Sequence, residues 1–347
     1  MLMVIFGAGA SYDCDPSQPP KRHEALSNPR LPLANELFED RYLMLGNVSD
    51  YRQCRPIIPF LRSSPHGPVT VERVLEGYRE EVSIYPRRQS QLAAIKYYLQ
   101  LMVWRCQRPW SRAEGPTHGI TNHVALLDQI EQFRHPQETV LLVTFNYDTL
   151  LETALESVDL HIHSIDHYIS DPRYKLIKLH GSVNWGRVVI RHDDLKVLRD
   201  KPPALAHELI EGVTDQMVSG EYRASVTPPL AMLGDDLLFP AIAIPVETKK
   251  DYECPDQHLR ALEELLPNVT KLLIIGWRGA EAHFLALVKK RFTRSVPGFV
   301  VSGNHEDATE TIATIQKAGI NVHLRPASGG FTKFILKKEI CALLGTG

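Results

Sequence analysis

Three short clusters carry residue types suited to chemistry: Phe6-Gly7-Ala8-Gly9-Ala10-Ser11, Thr144-Phe145-Asn146-Tyr147-Asp148 and Lys178-Leu179-His180-Gly181-Ser182. Each follows a short apolar run that reads as a strand, over 2–6, 140–143 and 174–179. Strands that end in glycine and small polar residues put side chains at the carboxyl edge of a sheet, where open parallel α/β sheets bind ligands. Backbone amides, the Asn146 amide, the Asp148 carboxylate and the His180 imidazole thus meet at one crevice. That set suits chemistry on a nucleotide.

The first cluster begins like a dinucleotide fingerprint, but the third glycine of G-x-G-x-x-G would fall on Tyr12. It reads either as a cradle whose main-chain amides meet a pyrophosphate or as a tight turn without a ligand. Asp148 reads either as a helix N-cap or as a site carboxylate. Asn146 is a neutral amide able to orient a ribose or a water without adding charge. The His180 ring is expected in the crevice, and an imidazole that titrates near neutrality suits proton transfer from a sugar hydroxyl. Two further glycine turns, Gly276-Trp277-Arg278-Gly279 and Ser302-Gly303-Asn304, follow later strands, and either suits the far half of a dinucleotide. His161-Ile162-His163 has metal-like spacing. Without a fourth ligand placed by the sequence, a partly exposed strand is the preferred reading.

These clusters need a scaffold of alternating strands and helices. Helical patterns run over 33–42, 69–82, 89–106 and 118–134; in the third, Leu92, Ile95, Leu99, Met102 and Val103 form one amphipathic stripe. From 140 onward the pattern alternates: helix 149–156, strands 175–179 and 241–244, helix 257–266, strand 271–275, helix 280–291, strand 299–301, helix 306–318, strand 321–324 and helix 331–343. Such alternation predicts parallel strands joined by right-handed crossovers. The expected fold is a single α/β domain over 1–347 with a doubly wound, Rossmann-like parallel sheet. A helical layer over 33–135 is inserted after the first strand. The segment 187–236, with mixed charge and a Thr227-Pro228-Pro229 break, reads as an insertion or lid.

The 347 residues are 44% apolar and 23% charged, with a net charge of -2. No basic field argues for nucleic acid as a ligand. Five scattered cysteines, never in a C-x-x-C pair, fit a reducing, cytoplasmic setting without a disulfide framework or a zinc knot. No apolar run reaches the ~18 residues needed to cross a bilayer. The apolar amino terminus runs straight into a glycine turn and reads as a buried first strand rather than a signal core.

In this order the clusters resemble the sirtuin family: an amino-terminal GAGxS, a TxNxD and an HG, then glycine- and asparagine-bearing strand ends. TFNYD and KLHGSVNW are the most specific elements. The likeness is strongest to bacterial sirtuin-like proteins, whose counterparts extend to Leu31-Pro32-Leu33-Ala34, Glu36-Leu37 and Val71-Glu72-Arg73-Val74-Leu75. Members of that branch degrade NAD in antiphage defence, often as multi-subunit assemblies or beside a HerA-like ATPase or an Argonaute protein. The resemblance implies that Gly7, Ala8, Gly9 and Ser11 hold the NAD phosphates, with Thr144, Gly276 and Asn304 as further nucleotide contacts. It implies that Asn146 and Asp148 position the nicotinamide ribose and that His180 acts on its hydroxyls. It departs at two places. The four zinc-binding cysteines of sirtuin deacylases are missing, so no zinc is expected, and Arg278 stands where family members often have serine. The expected activity is NAD hydrolysis to ADP-ribose and nicotinamide. The alternatives are a zinc-free deacylase or ADP-ribosyltransferase, and a non-catalytic NAD or ADP-ribose sensor. A homo-oligomer is also expected, with Tyr97, Tyr98, Trp104 and Trp110 of the helical layer at its interface.

Overall fold

Strand β1 (Leu2–Phe6) is buried along its whole length, Leu2, Val4 and Phe6 facing one core and Met3 and Ile5 another. A strand covered on both faces must be apolar at every position, which is why it reads as an uninterrupted run. The computed structural model describes the chain except residues 21–29, 64–69, 111–118, 191–192, 215–216, 226–231, 247–251 and 346–347. The Thr227-Pro228-Pro229 break lies outside the described residues.

In chain order β1 is followed by α1 (Ala8–Tyr12), α2 (Asp40–Leu45), α3 (Ile58–Ser63), α4 (Val71–Glu80), α5 (Arg87–Gln107) and α6 (Asn122–Phe133). Next come β2 (Val140–Thr144), α7 (Leu150–Leu155), α8 (His167–Ser170), β3 (Tyr174–Lys178), β4 (Gly181–Val189) and α9 (Pro202–Glu211). The chain continues through β5 (Val218–Ala224), β6 (Met232–Leu233), β7 (Asp236–Ile242), α10 (Asp256–Leu265) and β8 (Lys271–Ile275). It ends with α11 (Ala282–Arg291), β9 (Val296–Ser302), α12 (His305–Lys317), β10 (Val322–Ser328), α13 (Gly330–Leu336) and α14 (Cys341–Leu344).

Six strands form a parallel sheet in the order β10-β9-β8-β1-β2-β3, so the expected doubly wound α/β fold is present. Successive strands step one way from β1 to β3 and the other way from β8 to β10. The reversal between β1 and β8 is a topological switch point, which opens a crevice at the carboxyl ends of the strands. Leu126, Leu127 and Ile130 of α6 and Phe331 and Phe334 of α13 cover one face. Leu262 of α10, Phe284 of α11 and Ile312 of α12 cover the other.

A second, antiparallel sheet in the order β5-β4-β7-β6 departs from the expected topology. The run read as strand 241–244 is the end of β7, which pairs antiparallel with β4 (Gly186 opposite Pro240) and not with the parallel series. The segment 187–236 contributes to this sheet and packs Leu205, Leu209 and Ile210 into a third core with α2, α4 and α5. Helix α5 runs through that core with 13 of its 21 residues buried, so its expected single stripe is one part of a surface buried on most sides. Its aromatics point inward: Tyr98 stacks on Phe38 at 5.4 Å and donates to the Leu37 carbonyl at 2.5 Å, and Tyr97 meets Phe239 edge-on. Tyr97, Tyr98 and Trp104 are therefore core residues, which overturns them as an interface surface.

Smaller differences have local causes. The helix expected over 33–42 becomes a single turn, Ala34–Glu36, closed by the Glu36 carboxylate accepting from the Leu33 N–H at 3.0 Å, before α2. The carboxy-terminal helix is broken in two where Lys338 takes a positive φ of 51°. Residues 161–163 form no strand, although the rings of His161 and His163 stack at 6.1 Å.

Candidate functional site

Two backbone turns cross at the switch point, one after β1 and one after β8. A Cβ added to Gly7 would lie 2.5 Å from the Gly276 carbonyl oxygen, and one on Gly9 would lie 2.8 Å from the Gly276 Cα. Gly276 has a φ of 63°, and a Cβ there would reach 2.4 Å from the Ala10 nitrogen. The three glycines are required because two main chains touch where no side chain fits. The amides follow the same logic. Gly7 N–H donates to the Ile275 carbonyl at 3.0 Å and Gly9 N–H to the Gly276 carbonyl at 3.1 Å. The donors at Gly7 and Gly9 thus hold the neighbouring turn. Ala8 lies between them, half-buried in the first turn of α1.

From that crossing, α1 carries Ser11 to the end of β2, where the second cluster folds around it. Asn146 donates through Nδ2 to the Gly7 carbonyl and to Ser11 Oγ, both at 2.8 Å. Ser11 Oγ in turn donates to Asp148 Oδ2 at 2.6 Å. Asp148 Oδ1 accepts from the Leu150 N–H at 3.2 Å, so this buried carboxylate, one residue before the Thr149 N-cap, both holds the first amide of α7 and belongs to the network. Thr144 holds the turn from below, its Oγ1 accepting from the Asn146 N–H at 3.0 Å. Gln107 at the end of α5 clamps the same turn twice, donating to Thr149 Oγ1 at 2.7 Å and accepting from the Thr149 N–H at 2.8 Å.

His180 is buried one residue beyond Leu179, with Nδ1 3.1 Å from the Phe145 carbonyl and its ring 5.0 Å from the Phe145 ring. A carbonyl only accepts, so Nδ1 carries the proton, and in the neutral ring Nε2 carries the lone pair. Phe145 is fixed by a near-parallel stack on Trp277 at 5.3 Å, so the β8 turn also sets the orientation of His180. Asn146, Ser11 and Asp148 are thus joined in one hydrogen-bonded unit, to which His180 is tied through the Phe145 main chain. Asn304 is not: this exposed residue caps α12, accepting from the Asp307 N–H at 2.8 Å and donating to the Asp307 carboxylate at 2.9 Å.

A buried charge supports this unit. Lys178, fully buried at the end of β3, donates to the Asp148 main-chain carbonyl and pairs with Glu152 Oε1 at 2.9 Å. Glu152 Oε1 also accepts from Tyr168 OH at 2.8 Å, and Trp185 Nε1 donates to that hydroxyl at 2.9 Å. Arg30, His123 and Asp13 are buried polar groups as well. Arg30 lies over the Tyr12 ring and donates to the Tyr12 carbonyl at 3.3 Å. His123 sits between Phe6 and Phe331, its Nδ1 without a hydrogen-bond partner. Burial pulls the His123 imidazole down to about 4, against the opposing pull of the Asp148 carboxylate. Burial raises the Asp13 carboxyl, while its hydrogen bonds from Thr332 act the other way. It also raises the Cys14 thiol, which keeps that side chain protonated. Among the described residues no group of three or more His, Cys, Asp or Glu is placed to hold a metal ion. No described helix is long and apolar enough to cross a membrane.

A family model described as SIR2-like domain matches residues 140–217, which hold β2, the Asn146–Asp148 turn, β3 and His180. A crystal structure of a Sir2 homolog–NAD complex is similar at 13% identity, covering 97% of this chain and 90% of that one, with a TM-score of 0.37. The structure of Sir2Tm bound to a propionylated peptide is similar at 15% identity, with coverages of 98% and 94% and a TM-score of 0.35. No curated protein matches the sequence.

Two predictions follow from this packing. Gly276→Ala combines a left-handed backbone with overlap on main-chain atoms, so it should cost more than about 2 kcal/mol, read as a lowered midpoint in chemical denaturation. A midpoint equal to that of the wild type would show that the two turns can separate at little cost. The second concerns His123. Its folded-state value near 4 lies below the unfolded ~6.5, so between these values the unfolded chain binds a proton that the folded protein does not. Stability should therefore fall as pH drops through that window, by up to about 3 kcal/mol. Asp13, raised in the folded protein, acts with the opposite sign. The His123 share is isolated by comparing wild type with His123→Phe from pH 7 to pH 4, and the variant should have the flatter curve.

Proposed function

We propose that the protein cleaves NAD between nicotinamide and its ribose, releasing ADP-ribose and nicotinamide. The observation that carries this reading is the Asn146–Ser11–Asp148 network joined through Phe145 to His180 at the carboxyl edge of the sheet. The SIR2-like match over that same stretch supports it. Water attacks C1′ of the ribose, the C1′–N bond breaks and its electron pair neutralises the nicotinamide ring. The leaving group needs no proton, so catalysis rests on orientation and on stabilising an oxocarbenium-like ribose.

Asn146 uses its amide hydrogens on Gly7 and Ser11, which aims its Oδ1 as a neutral acceptor for the ribose or the attacking water. Asp148 adds negative charge beside the developing cation, and His180 Nε2 takes the proton of a ribose hydroxyl or of the water. The dinucleotide is proposed to lie over the glycine crossing, where Gly7, Ala8, Gly9 and Gly276 present almost no side chain, with Ser11 and Thr144 beneath and Asn304 at the adenosine end. Homo-oligomers, a HerA-like ATPase or Argonaute partner and an antiphage role in which NAD is depleted extend the same proposal. Met44, Phe60, Ile84 and Tyr85 leave apolar surface of the helical layer exposed for such contacts.

The test is pure protein with NAD, followed by chromatography for ADP-ribose. Free ADP-ribose without an added acceptor is the expected result. Turnover only with an acceptor would replace hydrolysis by transfer, and binding without turnover would replace it by sensing. Asn146→Ala should lose at least ~100-fold in rate, a typical loss for a positioning group. It should also cost about 1–2 kcal/mol in stability for its two hydrogen bonds. In wild type the kcat/KM profile should carry an ascending limb that disappears in His180→Gln, and an unchanged limb would assign the base elsewhere.

A further inference from the structure

We infer that Lys178 is a positioning residue for the turn that carries Asn146 and Asp148, and that it acts as a buried charge rather than as core packing. The inference rests on the NAD-cleavage reading for its kinetic consequences and on geometry for the rest. Lys178 is fully buried between Ile177 and Leu179, which are both buried and apolar. A buried ammonium carries a desolvation penalty, and well-packed apolar replacements of buried ion pairs are often neutral or stabilising. Folding alone therefore gives no reason for an ammonium at the end of β3.

What the charge reaches does give a reason. Lys178 Nζ donates to the main-chain carbonyl of Asp148, the residue whose carboxylate holds Ser11. Its counter-ion, Glu152, lies in the first turn of α7, the helix whose first amide Asp148 holds. Lys178 thus grips the turn at both ends, at the Asp148 carbonyl and through Glu152. Glu152 is steadied in turn by the Tyr168 hydroxyl, and that hydroxyl by the Trp185 indole of β4. Four elements (β3, α7, α8 and β4) converge on the single oxygen Glu152 Oε1 or one bond beyond it. Glu152 Oε2 is buried without a partner, so loss of Lys178 would leave an uncompensated carboxylate behind.

This separates stability from positioning experimentally. Lys178→Met alone should destabilise strongly, since Glu152 stays buried and charged. Lys178→Met combined with Glu152→Gln removes both charges, keeps an acceptor for Tyr168 and should recover most of the melting temperature. Under our inference it does not recover turnover: kcat should stay down about 10- to 100-fold, with KM within about threefold of wild type. Glu152→Gln alone, nearly isosteric, serves if the double variant does not fold, and should lower kcat in the same direction. Hydrogen exchange over residues 146–150 should be faster in both folded variants, and this readout needs no substrate. A folded double variant, or a folded Glu152→Gln, with wild-type kcat and wild-type exchange would overturn the inference. Absence of NAD cleavage in the wild type would instead count against the proposed reaction, while the exchange rates would still decide the positioning role.

Discussion

The contact between two main chains at Gly7, Gly9 and Gly276 is the constraint from which the site is built. Parallel pairing brings β1 beside β8, but their exits can close on each other only if Gly7, Gly9 and Gly276 carry no Cβ at the points of contact. Once closed, the contact fixes where α1 begins and therefore where Ser11 falls. The same β8 turn presents Trp277 to Phe145, and Phe145 in turn orients His180 through its carbonyl and its ring. One steric requirement thus reaches the serine by way of a helix and the imidazole by way of an aromatic stack.

The second layer of control is polar and costs stability. Thr144, Gln107, Lys178 and Glu152 all act on a turn of a few residues at the end of β2. An isolated buried charge is expensive, and a partly satisfied network is worse than an apolar core. The turn is over-determined: the Thr149 amide is held from α5, the Asp148 carbonyl from β3, and the Asn146 amide and Asp148 carboxylate from Ser11 of α1. Rigid placement of this kind is what a reaction dominated by orientation requires.

The parallel sheet and its chemistry-bearing ends were legible because the signals are local. Apolar runs closed by glycine, asparagine or histidine mark strand ends whatever their neighbours, and β8 was bounded correctly from sequence. The antiparallel sheet was not legible. The end of β7 is an apolar run like any other, and nothing in it states that its partner is β4, whose residues lie some fifty positions earlier. The aromatics of α5 failed as an interface for the same reason, since the sheet that covers Tyr97 is assembled from distant segments. Gly7 and Gly9 were recognised as necessary, but a glycine required by a ligand and one required by another backbone have the same letter. Lys178 has a visible signal, an ammonium directly after Leu176 and Ile177 at the end of a strand, but its counter-ion is set by how α7 packs and not by spacing.

The charge arrangement around the turn bears on the proposed chemistry. NAD brings a cationic nicotinamide ring, and as the glycosidic bond breaks the positive charge moves onto the ribose. A site that lowers this barrier offers acceptors and negative charge there and withholds cations. Asn146 Oδ1 and the Asp148 carboxylate are acceptors, and so is Nε2 of a His180 ring whose single proton sits on Nδ1. The nearby cation, Lys178, holds the Asp148 carbonyl while its charge is countered by Glu152, so it fixes the turn without adding an unpaired positive charge. On this reading the ion pair answers two demands at once: a charge strong enough to hold the Asp148 carbonyl in the interior, and a counter-charge that keeps the hold electrostatically silent at the ribose.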